Sequence, residues 1–421
     1  MLRRQKIRTF FVMWFSQAVS LIGTVVVEFA LAWYLTRETG SATVLATAMM
    51  VALIPQILLG PLIGPLVDRW NRKKILIFSD LAIALVTLVL VILFLTKSIQ
   101  IWHIYVAMAL RAIGQAFHFP AFLASVATVV PPKHLTRAAG LNQMLQGVVG
   151  IASPPLGALL MELLPMQGVL AVDIGTAAIG IGFILPLIIP QPEHTTLKEK
   201  SSIIGDMMQG FRYLIARRGL MMLMWLFMLL GFFTAPAISL FPILVNNNLG
   251  GEVMKLGWLN SAFGVGTIAT GFLLGVVGGI KKRIYMILMG FILIGITQIA
   301  FGFTSEGTFY WILVAALFCG VGISLVDAPF LALMNSVVDK DMQGRVFSLI
   351  NSISGVTLPV GLAVAGPLAD AIGVEWIYII CGIAFIVITF LAFFSKSLMN
   401  LEKQKPTENA ITGGPQPSPP A

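Results

Sequence analysis

The sequence predicts an all-α membrane protein with twelve transmembrane helices in two parallel six-helix repeats. Three observations predict it: the composition, the number of long apolar stretches, and an internal repeat. Of the 421 residues, 58% are hydrophobic and 11% are charged, whereas soluble domains carry about 25% charged residues. This composition excludes a soluble enzyme, and a mean hydropathy of +0.94 indicates that lipid is the solvent for most of the chain.

Twelve apolar stretches are long enough to cross a hydrocarbon core, which takes about 20 helical residues. They lack the polar–apolar alternation of β-barrel strands, and the first is too long for a signal-peptide core, so we expect it to be retained. In chain order they cover 9–35, 42–66, 75–96, 102–129, 138–163, 168–190, 220–246, 254–279, 284–303, 308–337, 346–371 and 374–395.

The second half of the chain repeats the first at an ungapped offset of 208 residues. Arg137 aligns with Arg345 at this offset, and paired lysines and several glycines also match. Six helices, a linker and six more helices form the layout of a transporter built from parallel repeats. The predicted parts are an N-terminal bundle, a cytoplasmic linker with an amphipathic helix, a C-terminal bundle and a disordered tail, at 1–190, 191–219, 220–395 and 396–421.

The basic residues indicate the orientation of the helices. With the N-terminus inside, 23 of the 27 lysines and arginines fall on the inner side, and only Arg37, Lys97 and Lys255 fall outside. The positive-inside rule therefore predicts that both termini are cytoplasmic, in a multi-pass protein of the cell membrane. Because the net charge of +9 resides in short loops between spans, it does not indicate a nucleic-acid partner.

Neither a cofactor nor a metal is expected. The two cysteines, Cys319 and Cys381, each lie within an apolar stretch and match no metal-ligand spacing. No G-x-x-x-x-G-K-[ST] loop occurs, so energy must come from an ion gradient or from the substrate's own gradient. The two-fold repeat and the lack of a filter-like element disfavour a channel.

The loop after the second span reads Gly64-Pro-Leu-Val-Asp68-Arg69-Trp-Asn-Arg72-Lys-Lys. By itself it could be an ordinary basic inner loop, with Asp68 placed to cap a helix or to bind an arginine. Its spacing resembles the signature between helices 2 and 3 of the major facilitator superfamily, with Asn71 where glycine is common. The resemblance implies a gating loop.

Two further motifs resemble those of the same superfamily. Arg111 and the residues after it, to His118, resemble the helix-4 arginine motif, which implies proton transfer; a structural ion pair is the alternative. Gly150, Pro154 and Gly157 resemble a worn antiporter motif in helix 5. Longer stretches, including Gly344-Arg-Val-Phe-Ser-Leu-Ile, are similar to macrolide-efflux (Mef-type) exporters, which implies a monomer that exports bulky drugs in exchange for protons.

Charged residues inside spans are functional-site candidates, since they are costly in lipid. Glu28 and Arg111 lie roughly 10 and roughly 13 Å below the outer ends of their helices at 1.5 Å per residue, so we expect them to form a proton-responsive pair. A structural pair that keeps its charges is the alternative. Further predicted cavity residues lie on the same stripes or at similar depths: Thr24, Gln115, His118, Asp173 and Asp327.

Several readings stay open at this stage. For Asp173, which lies close to the outer surface, a helix-cap or interfacial role is an equal alternative to a cavity role, and Asp80 is expected to brace the basic loop. The substrate could instead be a siderophore, a lysophospholipid or another lipid-like metabolite. A non-transporting sensor or scaffold with the same fold is the alternative from another class.

Overall fold

A computed structural model describes residues 2–191, 203–277 and 282–403. The chain forms fifteen α-helices within these ranges, twelve of which include a segment long and apolar enough to cross a membrane. In order they are α1 Leu2–Thr39, α2 Ala42–Arg69, α3 Arg72–Leu95, α4 Ile101–Val129, α5 Leu135–Leu163, α6 Met166–Ile184, α7 Ile203–Ala216, α8 Arg218–Ser239, α9 Phe241–Asn248, α10 Val253–Val277, α11 Arg283–Gly302, α12 Phe309–Val337, α13 Lys340–Ile372, α14 Val374–Phe393 and α15 Lys396–Met399. The predicted all-α membrane fold is confirmed.

The seventh predicted span is divided into α8 and α9 at Leu240. Pro242 near the start of α9 has no N–H to donate to the carbonyl four residues earlier, so the helix is interrupted there. The short α9 continues toward the end of the bundle at which α1 ends and α2 begins. We call this end the predicted external side and the other end the predicted cytoplasmic side.

The two halves differ in the chemistry of their cores, although the apolar cluster of the C-terminal half also includes Trp33 and Leu45 of the N-terminal half. In the C-terminal half the core is apolar and rich in aromatic rings, including the fully buried Phe301, Tyr378 and Phe385. The Tyr378 hydroxyl donates to the Ala237 carbonyl, 2.7 Å away. The buried charged side chains of the described spans lie instead in the N-terminal half.

Two helix pairs, α2 with α13 and α5 with α10, form the most extensive contacts between the halves, and α1 with α9 and α2 with α8 add smaller ones. Pro155 in α5 has no N–H, which frees the Ile151 carbonyl from its helical partner, and the Ser261 hydroxyl of α10 donates to it at 2.7 Å. Gly257 of α10 lies so close that an added Cβ would be 2.9 Å from Pro155 Cα. The proline pair of α5 thus provides both a free acceptor and a close-packed interface between the halves.

Helix α7 lies within the predicted linker and packs against α8 and α13. Leu214 is buried, while Met208, Phe211 and Ile215 on the apolar face stay exposed. Residues 192–202, with Lys198 and Lys200, lie outside the described residues.

The prediction that 396–421 is a disordered tail is wrong for its first part. Residues Lys396–Met399 form α15 and Leu401–Lys403 form a 3₁₀ turn, with Leu398 and Leu401 buried. The Glu402 carboxylate accepts a hydrogen bond from the Ile284 N–H at the start of α11, 2.9 Å away. Buried leucines in a polar sequence therefore hold this segment against the bundle, and residues 404–421 lie outside the described ranges.

Candidate functional site: a buried polar network

Helix α4 presents Arg111 to the interior of the N-terminal half. Its Nη1 lies 2.5 Å from Asp173 Oδ2 on α6 and also donates to the Thr87 hydroxyl of α3. Thr87 in turn donates to Asp173 at 2.8 Å. Because all three side chains are almost fully buried, the ion pair ties three helices together in a region without bulk water.

The expected direct pair of Glu28 with Arg111 is wrong, because the arginine is paired with Asp173. Glu28 Oε1 instead accepts a hydrogen bond from Gln115 Nε2 at 2.8 Å, one helical turn along α4 from Arg111. Glu28 also differs from Asp173 in remaining exposed, although it lies near the middle of the bundle. Asp173 itself is buried within α6, which excludes the helix-cap reading.

A second polar layer lies one turn farther along α4. His118 Nε2 lies 3.3 Å from Asp80 Oδ1, and the Ser20 hydroxyl donates to the same oxygen at 3.2 Å. Asp80 was expected to brace the basic loop, but it is buried among helices α1, α3 and α4. The partner of His118 is therefore Asp80, whereas Asp327 on α12 is exposed and forms no hydrogen bond or ion pair with the described residues.

These layers border a cavity of about 340 Å³ inside the N-terminal half. Polar side chains from five helices line it: Gln17, Ser20, Thr24, Gln56, Asp80, Gln115, His118 and Gln146. Sequence reasoning missed Gln56 and Gln146 as cavity residues, and the signal that could have found them is an uncharged amide inside an apolar span. Thr24, Gln115 and His118 are among the lining residues, and their part in proton coupling or substrate binding stays a prediction.

The described residues of the C-terminal half form no equivalent of this network. At the offset of 208 residues, Arg111 corresponds to Cys319 and Asp173 to Cys381, and both cysteines are buried as free thiols. Thr87 corresponds to Gly295. The pseudo-symmetric positions are thus small or weakly polar, so the charged chemistry belongs to one half of the protein.

The basic loop between α2 and α3 is held by its own residues. Asn71 caps α3 by accepting from the Lys74 N–H, so the residue that departs from the usual motif has a local structural role. Arg72 donates to the Ala124 carbonyl at 2.9 Å and lies 3.5 Å from Asp68, whose side chain is 73% exposed. Gly64 and Arg69 are exposed beside them. Of the two roles expected for Asp68, this arrangement shows only the arginine contact.

The helix-5 motif lies on the interface side of α5. Gly157 packs against the Phe29 ring, where an added Cβ would be 2.9 Å from a ring carbon. Pro154 is buried, whereas Gly150 is exposed and meets no neighbour. The motif therefore governs how closely α1 and α10 approach α5.

A contact between the halves that the sequence did not reveal lies on the predicted external side. Asp370, near the end of α13, accepts hydrogen bonds from the first turn of α2: Ser41 Oγ at 2.7 Å, Ala42 N at 2.6 Å and Thr43 N at 3.0 Å. A helix N-terminus has unsatisfied N–H groups and a partial positive charge, so a carboxylate is well suited to it. Asp370 thus caps a helix of the other half.

Twelve membrane-spanning helices in two halves, with a polar cavity and a buried ion pair inside the N-terminal half, are the architecture of a multi-pass membrane transporter. The family model of the Major Facilitator Superfamily matches residues 13–247 and 235–420. The chain therefore belongs to the major facilitator superfamily.

Similar proteins include named drug exporters. The chain is 32% identical over 393 residues to Macrolide efflux protein A of Streptococcus pyogenes, covering 93% of this chain and 97% of the relative. It is 32% identical over 323 residues to Macrolide efflux protein A of Enterococcus faecalis, covering 77% of this chain and 100% of the relative. The chain is thus a transporter with macrolide-efflux homologues, as the sequence resemblance implied.

A solved structure shares the fold at low identity. The inward-facing, unoccupied bacterial homolog of the human lysosomal transporter Spinster superposes with a TM-score of 0.67 and 16% identity, covering 95% of this chain and 98% of that chain. This similarity establishes the fold alone.

Proposed function

We propose that this transporter exports macrolide-like or other bulky amphipathic drugs in exchange for protons. The structural observation that most supports exchange of drug for protons is the environment of Glu28. Its carboxylate is accessible in the interior and is held by the neutral Gln115 amide, while the nearby Arg111 is paired with Asp173. Glu28 can therefore gain or lose a proton without breaking the ion pair that holds the helices.

The substrate class is supported by the similarity to macrolide exporters and by the chemistry of the interior. A large apolar molecule with an amine can place its cation at Glu28 and its polar groups on the amides of the adjoining cavity, Gln17, Gln56 and Gln146. A proton and a cationic amine then compete for one carboxylate. Such competition enforces exchange, because each ligand favours the state to which it binds better.

Arg111 and Asp173 have a different role in this mechanism. Removing one partner of a buried ion pair strongly destabilises a protein, because the other charge is left buried and unpaired. The pair, with Thr87, fixes α4 against α3 and α6 and so holds Gln115 opposite Glu28. We propose that Arg111 and Asp173 are positioning residues and that Glu28 carries the proton.

The contacts between the halves support a state that is closed toward the outside. Asp370 joins α13 to α2 at one end, and Gly366 packs against Ala46 near it. At the other end Asp68 contacts Arg72 and forms no hydrogen bond or ion pair with a described residue of the opposite half. With cytoplasmic termini, as the basic residues predict, the Asp370 cap is the external gate.

The proposal is tested by drug accumulation in a drug-sensitive host. Cells that express the protein should accumulate less labelled 14-membered macrolide than cells with the empty vector, and collapse of the proton gradient should abolish the difference. Unchanged accumulation would exclude macrolides and favour a siderophore or lipid-like substrate. Lower accumulation that persists after the collapse would retain the substrate and exclude proton exchange. If cells with an Asp173→Asn variant accumulate as little drug as cells with the unaltered protein, the positioning role of Asp173 is excluded.

A further inference from the structure

A second cavity lies on the lipid-facing surface of the N-terminal half, separate from the polar cavity. It is a groove of about 730 Å³ between α3 and α4. Its walls are Phe78, Ala82 and Val86 of α3 and Leu110, Ile113 and Phe117 of α4. The polar cavity is lined by other faces of the same helices, through Asp80 and His118, so the groove opens toward lipid.

The length of the groove along α3 matches the thickness of one membrane leaflet. From Lys74 to Val86 along α3 the rise is about 18 Å at 1.5 Å per residue, and half of a hydrocarbon core is about 15 Å. Gly114 lets the helices meet at its floor, because an added Cβ there would lie 2.7 Å from the Ile83 side chain. A concave apolar channel of this length suits an acyl chain.

The end of the groove on the predicted cytoplasmic side is polar and positively charged. Arg69, Asn71 and Lys74 line it beside Trp70, whose ring stacks on Phe117 with centroids 6.1 Å apart. The side chains of Arg69 and Lys74 form no hydrogen bond or ion pair with the described residues, and no acidic residue lines the groove. Two free cations therefore stand at the headgroup level.

The other charges of this loop are already engaged. Arg72 contacts the Ala124 carbonyl and Asp68, and Lys73 donates to the Leu185 carbonyl at 2.6 Å. The only carboxylate of the loop is thus opposed by Arg72, which leaves Arg69 and Lys74 to bind an anion. Tryptophan at the same level is typical of a membrane interface.

We propose that this groove binds an anionic phospholipid of the adjacent leaflet, with an acyl chain between α3 and α4 and the phosphodiester on Arg69 and Lys74. Basic pockets between transmembrane helices bind anionic headgroups by this combination of charge and apolar shape. A lipid held there contacts both α3 and the loop that follows α2. The site is independent of the transported substrate.

Quenching of Trp70 tests the proposal in the purified full-length protein. Brominated phosphatidylglycerol is titrated into nanodiscs of phosphatidylcholine, and the Trp70 signal is the difference between the protein and its Trp70→Phe variant. We expect phosphatidylglycerol to quench at a much lower mole fraction than brominated phosphatidylcholine. In an Arg69→Gln, Lys74→Gln variant the half-quenching fraction should rise about 30-fold, because each cation contributes about 1 kcal/mol to the attraction.

The matched control is a Lys133→Gln, Arg137→Gln variant, which loses the same charge on the same side at exposed positions outside the groove. Brominated phosphatidylglycerol should quench Trp70 in this variant at the same mole fraction as in the unaltered protein. Equal quenching by the two lipids, or an equal shift in the control, would overturn the proposal. A macrolide that displaces phosphatidylglycerol from the Arg69→Gln, Lys74→Gln variant would also overturn the proposal, since that result would make the groove a drug site.

A second measurement covers the case in which the double variant does not fold. Salt at 1 M shortens the Debye length to about 3 Å, so it should weaken quenching of the unaltered protein by phosphatidylglycerol and leave quenching by phosphatidylcholine unchanged. Salt-insensitive quenching by phosphatidylglycerol would contradict the role of Arg69 and Lys74.

Discussion

Replacement of Asp370 by asparagine should open the predicted external side more often. The carboxylate accepts three hydrogen bonds from Ser41, Ala42 and Thr43, and asparagine keeps the size but has one acceptor oxygen and no charge. A charge at a helix N-terminus contributes about 0.3–1 kcal/mol at an exposed position, and a lost hydrogen bond about 0.5–1.5 kcal/mol. Since Asp370 is exposed and screened, we expect a total of about 1–2 kcal/mol, or roughly 5- to 30-fold in the open population.

Cysteine labelling from outside measures this shift. The natural cysteines Cys319 and Cys381 are replaced by alanine, and Gln56 in the cavity lining is replaced by cysteine. Reaction with a membrane-impermeant maleimide should be roughly 5- to 30-fold faster with Asp370→Asn, because the rate follows the open population when opening is fast.

Glu375→Gln is the matched control for this experiment. Glu375 lies in the same external pocket as Asp370 but forms no hydrogen bond with α2 in the described chain, so its loss should leave the labelling rate unchanged. An unchanged labelling rate with Asp370→Asn, or an equal rise of that rate with Glu375→Gln, would refute the proposed role of Asp370 as the gate.

Three further predictions concern packing and orientation. Arg111→Met and Asp173→Asn should each destabilise the protein by about 3–5 kcal/mol, because each leaves an unpaired buried partner. In thermal unfolding, a double variant with Arg111→Met and Asp173→Leu should be more stable than either single variant. Additive losses of stability in the double variant would contradict this prediction. Ser261→Ala should lower stability by about 1–3 kcal/mol by leaving a carbonyl of α5 without its donor, and an unchanged melting temperature would argue against that contact. A cysteine at Lys97 should be labelled from outside in intact cells and one at Lys198 should not, so labelling at Lys198 would invert the topology.

The sequence predicts the twelve spans well because each depends on local composition. A helix that crosses lipid must be apolar over its whole length, and caps such as Ser41 and Asn71 mark where the chain turns. A helix within the linker was expected for a different local reason, the helical spacing of its apolar residues. The helix and turn at 396–403 could not be predicted in this way, because Leu398 and Leu401 are buried only through their packing against the bundle.

The partners of the buried charges were harder to predict from the sequence. Counting residues gives the depth of Glu28 and Arg111, but not the rotation and tilt of each helix, which decide whether Arg111 points to α1 or to α6. The structure pairs it with Asp173. The Asp370 cap was missed because an acidic residue at a helix end resembles a solvated one, and its partner lies more than 300 residues away in the chain.

Exchange of protons for drug through Glu28 is the central claim, and transport in proteoliposomes tests it most directly. A labelled 14-membered macrolide should accumulate against its gradient in response to an imposed pH gradient with the unaltered protein. With Glu28→Gln, which retains an acceptor for Gln115, this uphill transport should disappear, while exchange of labelled for unlabelled drug at equal pH should continue. Uphill transport that survives in Glu28→Gln with its pH dependence intact would contradict the account and move the proton site to another carboxylate.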